Sequence, residues 1–208
     1  MTAESRRDQL IQVAVDLFSR NGYVGTTTKS IAAEAGVSEA IIFRHFSTKE
    51  DLYAAILDYK ANQAGVEEWL LGVRDAADRG DDEALFRSFS ERILESYRRD
   101  PYFQRLMFYS SLEGHAFAKV FQKRRGLPIF DFLRDYVARR QKEGALGDFD
   151  PGVIVFALIG MSTYYAIVRR LFGMELLKAS DAKVTNTFTK LLLDGLRNGH
   201  PAHNSNKQ

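Results

Sequence analysis

Apolar side chains recur along most of this chain at intervals of three and four residues, the spacing that places them on one face of an α-helix. Between residues 5 and 20 such a stripe ends at Asn21-Gly22, a common helix stop. Typical N-cap residues precede the later stripes: one of Asp81 and Asp82, then Asp100, Asp150 and the pair Ser180-Asp181. The pattern predicts an all-α fold. Further helices are predicted over about 47–72, 82–97, 102–113, 129–137, 151–173 and 181–198.

The stretch from Thr26 to Phe46 combines two short helices with a tight turn between them. The first helix is predicted to start near Thr27 or Thr28, the turn to lie at Ala35-Gly36-Val37, and the second helix to take Ser38 as its N-cap. Apolar positions on both helices allow them to share a small core: Ile31, Ala32, Ala35, Ile42 and Phe46. This arrangement is a helix-turn-helix at about 27–46.

These residues resemble the tetracycline-repressor (TetR) family of transcriptional regulators. The resemblance covers about the first 60 residues and rests on several blocks: Phe18, Gly22-Tyr23, Thr26-Thr27, Ile31-Ala32, Ala35 to Ser38, Phe43 to Phe46 and Lys49 to Leu52. It implies a helix-turn-helix DNA-binding domain at 4–64, whose three helices precede a helical bundle for ligand binding and dimerisation at 65–198. Ile41 and Phe43 stand where relatives often carry hydroxyls, so the operator sequence cannot be carried over.

The side chains between the inward positions are small, polar, basic or aromatic, which suits contacts with phosphates and base edges. At Thr27 and Thr28 a capping role and a phosphate contact both remain open. Lys49 is assigned to a phosphate on the strength of the resemblance. The complete set of predicted DNA-binding residues is Thr27, Thr28, Lys29, Ser38, Glu39, Ala40, Phe43, Arg44, His45 and Lys49.

A fourth helix is predicted to start with a capping box, in which Ser47 and Glu50 exchange hydrogen bonds with each other's backbone. Its apolar stripe suggests that it continues through Trp69 to about Gly72. It would then join the DNA-binding domain (the reading head) to the C-terminal helical bundle (the body).

Residues 152–168 carry no charge, and these 17 residues are shorter than the ~20 that a membrane span needs. Close-packing glycine and alanine positions favour a buried bundle helix over the membrane alternative. The helices at about 151–173 and 181–198 have more apolar surface than one small body can cover. The family resemblance also implies that they form the interface of a homodimer.

The C-terminal helical bundle is rich in aromatic residues, and most of these side chains must lie in its hydrophobic core. Crossing helices packed with large rings also leave apolar clefts, and the resemblance implies an apolar or aromatic small-molecule effector. The predicted ligand-binding residues are Phe89, Ile93, Tyr97, Phe103, Met107, Phe117, Phe121, Phe130, Phe156 and Tyr164.

Composition and charge narrow the function further. Six basic and six acidic side chains cancel in residues 1–50, so composition alone does not indicate nucleic acid. The chain has no cysteine and its start has no apolar run, which predicts a cytoplasmic protein. Its four histidines lack the spacing of metal ligands on a helix, and no catalytic motif appears, so we expect no metal, cofactor or enzyme activity.

The tail 199–208 is predicted to be disordered. The sequence therefore favours a DNA-binding repressor, with a helical scaffold or interaction module as the alternative.

Overall fold

The computed structural model describes residues 3–61, 66–114 and 116–198, without the side chains of 57, 58, 60, 61, 66, 67, 116, 117, 120, 124, 125 and 198. The described residues form eleven α-helices and no strand, which confirms the all-α prediction. The helices are α1 Ala3–Asn21, α2 Thr28–Glu34, α3 Glu39–His45, α4 Lys49–Ala61, α5 Val66–Asp78, α6 Asp82–Arg99, α7 Pro101–Leu112, α8 Ala116–Phe121, α9 Leu127–Lys142, α10 Pro151–Ala166 and α11 Asp181–Asn198. The predicted disordered tail lies outside the described residues.

The helices group into two compact units. Unit 1 comprises Met1–Glu67 and Asp100–Gly126, and unit 2 comprises Glu68–Arg99 and Leu127–Gln208. The predicted domain boundary between residues 64 and 65 separates a DNA-binding domain from a domain for ligand binding and dimerisation. This division by function stays a prediction. By packing, however, α7 and α8 belong with the N-terminal helices.

Unit 1 is built around α1. Its apolar stripe buries Leu10, Ile11 and Phe18 completely, and α2, α4 and α7 pack against it. Burying one such side chain contributes roughly 1.5–3 kcal/mol. Gly36 ends the turn after α2 with φ +67°, as its position in the sequence predicts. Ile42 is fully buried and fixes α3 against this core.

The start of α4 corrects one sequence prediction. The capping box joins Thr48 and Asp51: the Asp51 N–H donates to Thr48 Oγ1 over 3.0 Å, and the Thr48 N–H donates to Asp51 Oδ2 over 3.1 Å. The predicted Ser47–Glu50 pair does not form, because the Glu50 carboxylate accepts a hydrogen bond from Tyr23. The two boxes are offset by one residue in the sequence, and only a tertiary contact selects between them.

The long fourth helix of the sequence prediction corresponds to α4 and α5. Residues 62–65, over which continuity is predicted, lie outside the described residues. The predicted end near Gly72 is wrong, because α5 passes through Gly72 and ends at Asp78. Between α1 and α2, the sequence predicts that Tyr23 and Val24 both pack under α1; Tyr23 is buried, but the side chain of Val24 is exposed.

Unit 2 buries α6 against α10 and α11. The caps follow the sequence: Asp150 accepts from the Val153 N–H over 3.0 Å, and Ser180 accepts from the Lys183 N–H over 3.2 Å. After Ala166 the chain makes one π-helical turn, Ile167–Leu171, so the apolar helical span is longer than the charge-free stretch.

That span, Pro151–Leu171, has 21 residues and contains an 18-residue window with a mean hydropathy of 1.8, so by length and composition it could cross a membrane. The length argument made from the 17 uncharged residues is therefore wrong. Packing is the better argument for a bundle helix, because Ile154, Val155 and Leu158 are buried in the core of unit 2. Arg169 and Arg170, inside the same span, both pair with Asp181.

Candidate nucleic-acid interface and apolar cavity

The entry into α2 is held by threonine hydroxyls. Thr27 is the N-cap: its hydroxyl accepts from the Ser30 N–H over 3.0 Å, while Ser30 Oγ accepts from the Thr27 N–H over 3.1 Å. Thr26 is fully buried and donates to the carbonyl of Gly22 over 2.9 Å. The capping role considered for Thr27 is thus present, and a phosphate contact by the same residue stays a prediction.

The outward surface of α2 and α3 carries most of the predicted DNA-binding residues. Ser38, Ala40, Phe43, Arg44, Lys29 and Thr27 are exposed, and Thr28, Glu39 and His45 are half-buried. Ser38 occupies the N-cap position, but its side chain makes no capping hydrogen bond. Within the described parts of the chain, neither Lys29 nor Arg44 forms an ion pair. Both cations are therefore available to neutralise phosphates.

Lys49 is placed differently from the other predicted DNA-binding residues. Its ammonium donates to the Tyr23 carbonyl over 2.6 Å and lies 3.9 Å from the centre of the Tyr23 ring. Burial is the main cause that lowers the pKa of Lys49 below its usual value. A phosphate contact by Lys49 stays a prediction, and it has to compete with these internal bonds.

Tyr23 joins three elements of unit 1. Its hydroxyl donates to Glu50 Oε1 over 2.5 Å, and its backbone N–H donates to Glu113 Oε2 over 3.1 Å. The hydrogen bond from Tyr23 is the main cause that lowers the pKa of Glu50. Because Glu113 follows the last residue of α7, it ties this helix to the turn that leads into α2.

Replacing Gly22 by alanine tests this junction. Gly22 has φ +70°, and a Cβ there would collide with the Glu113 carboxylate. Gly22→Ala should cost roughly 1–2 kcal/mol from backbone strain alone, plus the loss of the Glu113–Tyr23 bond. Gly36→Ala is the matched control, because Gly36 has φ +67° but nothing within reach of a Cβ. Chemical denaturation should show the larger loss for Gly22→Ala. Equal losses would mean that Glu113 gives way without cost.

In unit 2 an open, largely apolar cavity of about 340 Å³ lies between α10, the segment that follows it and α11. In its lining, Arg169 Nη1 donates to Asp181 Oδ1 over 3.1 Å, to the Ala179 carbonyl over 3.0 Å and to the Tyr165 hydroxyl. The volume falls in the range of small-molecule sites. The lining residues are Met161, Tyr164, Tyr165, Val168, Arg169, Met174, Glu175, Leu176, Leu177 and Phe188.

The structure distributes the predicted ligand-binding residues over both units, and among those with a described side chain only Tyr164 lines this cavity. In unit 1, Phe103 is buried, and Met107 and Phe121 pack on the same core. In unit 2, Phe89 and Tyr97 are buried, Ile93 and Phe130 are half-buried, and Phe156 is 73% exposed. The side chain of Phe117 lies outside the description. The sequence feature that indicates this cavity is the largely apolar stretch from Phe172 to Leu177 between two helices. The sequence-based prediction assigned no role to it.

Comparison with known proteins places these helices in a family. The family model described as bacterial regulatory proteins, tetR family, matches residues 10–56, which run from α1 into α4. The chain belongs to the TetR family. Among its relatives, the nucleoid occlusion factor SlmA of Haemophilus influenzae is 28% identical over 168 residues, 76% of this chain and 72% of that protein.

Two further relatives have names that state opposite regulatory effects. The HTH-type transcriptional activator FasR of Mycolicibacterium smegmatis is 33% identical over 106 residues, 50% of this chain and 46% of that protein. The HTH-type transcriptional repressor NicS of Pseudomonas putida is 26% identical over 151 residues, 70% of this chain and 68% of that protein. This TetR-family chain is accordingly a DNA-binding transcriptional regulator.

Solved structures share the fold along nearly the whole chain. A linker mutant of HlyIIR matches with a TM-score of 0.71 at 18% identity, covering 93% of this chain and 100% of that one. AibR in complex with isovaleryl coenzyme A and operator DNA matches with a TM-score of 0.63 at 21% identity, covering 90% and 98%. At these identities the matches establish the fold of this TetR-family member.

Proposed function

We propose that this TetR-family regulator is a homodimeric repressor that binds a near-palindromic operator and is released by an apolar or aromatic small molecule. The observation that carries the proposal is the outward surface of α2 and α3, where Lys29 and Arg44 are exposed and form no ion pair with any described residue. On this proposal residues 4–64 read DNA, residues 65–198 bind the effector and the second copy, and the protein works in the cytoplasm.

Exposed apolar side chains on α10 and α11 support the dimer. Val153, Phe156, Tyr164 and Leu191 are each about two-thirds or more exposed in the single chain. Apolar surface of this kind on a soluble protein marks an interaction site. A two-fold dimer places two copies of α3 in successive major grooves, roughly 34–36 Å apart.

The effector part of the proposal draws on two observations. AibR, which shares the fold, was solved with both isovaleryl coenzyme A and operator DNA. Unit 2 of this chain holds a largely apolar cavity of about 340 Å³ whose lining includes Arg169. Effector binding would change the separation of the two DNA-binding domains, and a coupling free energy of about 1–3 kcal/mol between effector and operator binding is typical of such switches.

Operator affinity measured with and without a ligand that binds unit 2 tests this coupling. Unchanged affinity would remove it.

Removing the two unpaired cations should reduce the salt dependence of DNA binding. Each phosphate contact contributes about 0.9 to the slope of log affinity against log salt concentration. Because a dimer carries two copies, Lys29→Ala and Arg44→Ala should each lower the slope by about 2. Lys142→Ala, an exposed lysine of α9 in unit 2, is the matched control and should leave the slope unchanged. Fluorescence anisotropy on labelled duplex at several salt concentrations measures all three variants.

Selection of bound sites from random duplexes tests the function itself. The expected result is a two-fold-symmetric consensus with half-sites about one helical turn apart. A protein that enriches no sequence and binds without a salt slope would instead be the helical interaction module that the sequence left as the alternative.

A further inference from the structure

Glu39 stands in the first turn of α3 and is tied to α2. Its Oε1 accepts a hydrogen bond from the hydroxyl of Thr28, the first residue of α2. The bond crosses the helix-turn-helix, so it holds the carboxylate in one place between the two helices. Glu39 Oε2 has no hydrogen bond or ion pair with any described residue.

A carboxylate at this place is unfavourable for DNA binding unless it meets a donor. The exposed cations Lys29 and Arg44 lie on the same two helices, so phosphates brought to them come near Glu39 as well, and like charges repel. The favourable interaction of a carboxylate with the N-terminus of a helix is modest and confined to the first turn. A neutral side chain such as Gln could keep a hydrogen bond to Thr28 without the repulsion.

Base edges in the major groove supply the missing donor. Cytosine presents its N4 amine there, and Glu and Asp are the side chains that accept from it. Adenine presents an N6 amine beside its N7 acceptor, and that lone pair repels a carboxylate. A carboxylate with one oxygen already occupied therefore favours cytosine.

We propose that Glu39 determines operator specificity by accepting a hydrogen bond from the N4 amine of a cytosine, and that Thr28 is the residue that positions it. The inference rests on the proposed DNA-binding function and adds to it a C·G pair at one fixed place in each half-site. Thr28 leaves Oε2 for the base by occupying Oε1.

Parallel selections from random duplexes with wild-type protein and Glu39→Gln test the base assignment. Wild type should enrich cytosine at one symmetric position. Glu39→Gln should lose that preference by about tenfold or more, because with its amide oxygen held by Thr28 it presents an N–H donor where the carboxylate presented an acceptor. Glu34→Gln, the same charge change at an exposed position of α2, should select the wild-type consensus. An unchanged consensus for Glu39→Gln overturns the proposal.

A second measurement uses the DNA, so it holds even if a variant folds poorly. Wild-type protein is titrated against its selected site and against the same site with the C·G pair changed to T·A, which replaces the amine by a carbonyl acceptor. We expect affinity to fall about tenfold or more for wild type and by less than threefold for Glu39→Gln. Equal losses would show that another residue reads the pair.

The role of Thr28 is tested by two substitutions. Thr28→Val removes the hydroxyl at nearly constant shape and should reduce the discrimination between the C·G and T·A sites, whereas Thr28→Ser should restore it. A merely structural threonine would change overall affinity and leave the ratio of the two affinities unchanged, which would remove the positioning role. If wild type selects sites without a fixed cytosine, this inference fails while the proposed function stands. If wild type selects no site at all, the proposed function fails.

Discussion

Phe156→Glu is expected to convert the protein to monomers and to weaken operator binding by at least about a hundredfold. Phe156 is 73% exposed on α10, and with Val153, Tyr164 and Leu191 it belongs to the proposed two-fold interface. A two-fold axis would bring two new carboxylates into apolar surroundings, and an unpaired buried charge costs about 3–5 kcal/mol. Since 1.4 kcal/mol is a factor of ten in affinity, such a cost suffices for the predicted loss.

Sedimentation velocity and gel-shift titration measure the two effects of Phe156→Glu. Leu112→Glu is the matched control: Leu112 is 83% exposed at the end of α7 in unit 1, and it receives the same side chain. The control should stay dimeric and bind DNA as wild type does. A dimer of undiminished stability with Phe156→Glu would show that α10 is not the interface, and Phe156 would then be open to its other assignment, the effector site.

Asp82→Asn is expected to lower the free energy of unfolding by about 3–5 kcal/mol. Asp82 is only 3% exposed and accepts hydrogen bonds from the Tyr136 hydroxyl over 2.6 Å and from Arg140 Nε over 2.8 Å. The bond to Asp82 is the main cause that raises the pKa of Arg140. Removing the carboxylate leaves the largely buried Arg140 guanidinium with only the more exposed Glu143 as counter-charge, and this poorly compensated charge dominates the loss.

Thermal unfolding measures the effect of Asp82→Asn, and a loss of this size lowers Tm by roughly 6–20 °C in a chain of this length. Asp75→Asn is the control, because Asp75 forms an exposed pair with Arg79 whose loss should cost at most about 0.5 kcal/mol. Adding Arg140→Met to Asp82→Asn should recover part of the stability, since it removes the charge that was left poorly compensated. No recovery would mean that the Tyr136 bond, and not the ion pair, stabilises this end of α6.

The candidate DNA interface was largely predictable because its signals are local. The turn at Gly36, the N-cap position of Ser38 and the inward face of Ile42 depend on residues within one or two helical turns of each other. The same reading placed Lys49 on the outer surface. It could not foresee the bond to the Tyr23 carbonyl, because the two residues are 26 positions apart and only the packing of α1 and α4 brings them together.

The effector site was less predictable for a related reason. Helical spacing identifies which residues face inward, but an inward ring can fill a core or line a cleft, and the two give the same pattern. Phe103 fills the core of unit 1, whereas Tyr164 lines the cavity of unit 2. The cavity depends on the course of the non-helical segment from Met174 to Leu177, which has no periodicity to read.

The sequence by itself determined the all-α fold, the helix-turn-helix and the caps at Asp100, Asp150 and Ser180, because hydrophobic spacing and capping chemistry act over a few residues. Only the tertiary structure decided which of two overlapping boxes caps α4, that α7 packs with the N-terminal helices, and that Thr28 holds Glu39. Those outcomes depend on contacts between residues that are distant in sequence or placed on different helices. Such contacts are selected by the packing of the whole unit and leave no periodic trace in the chain.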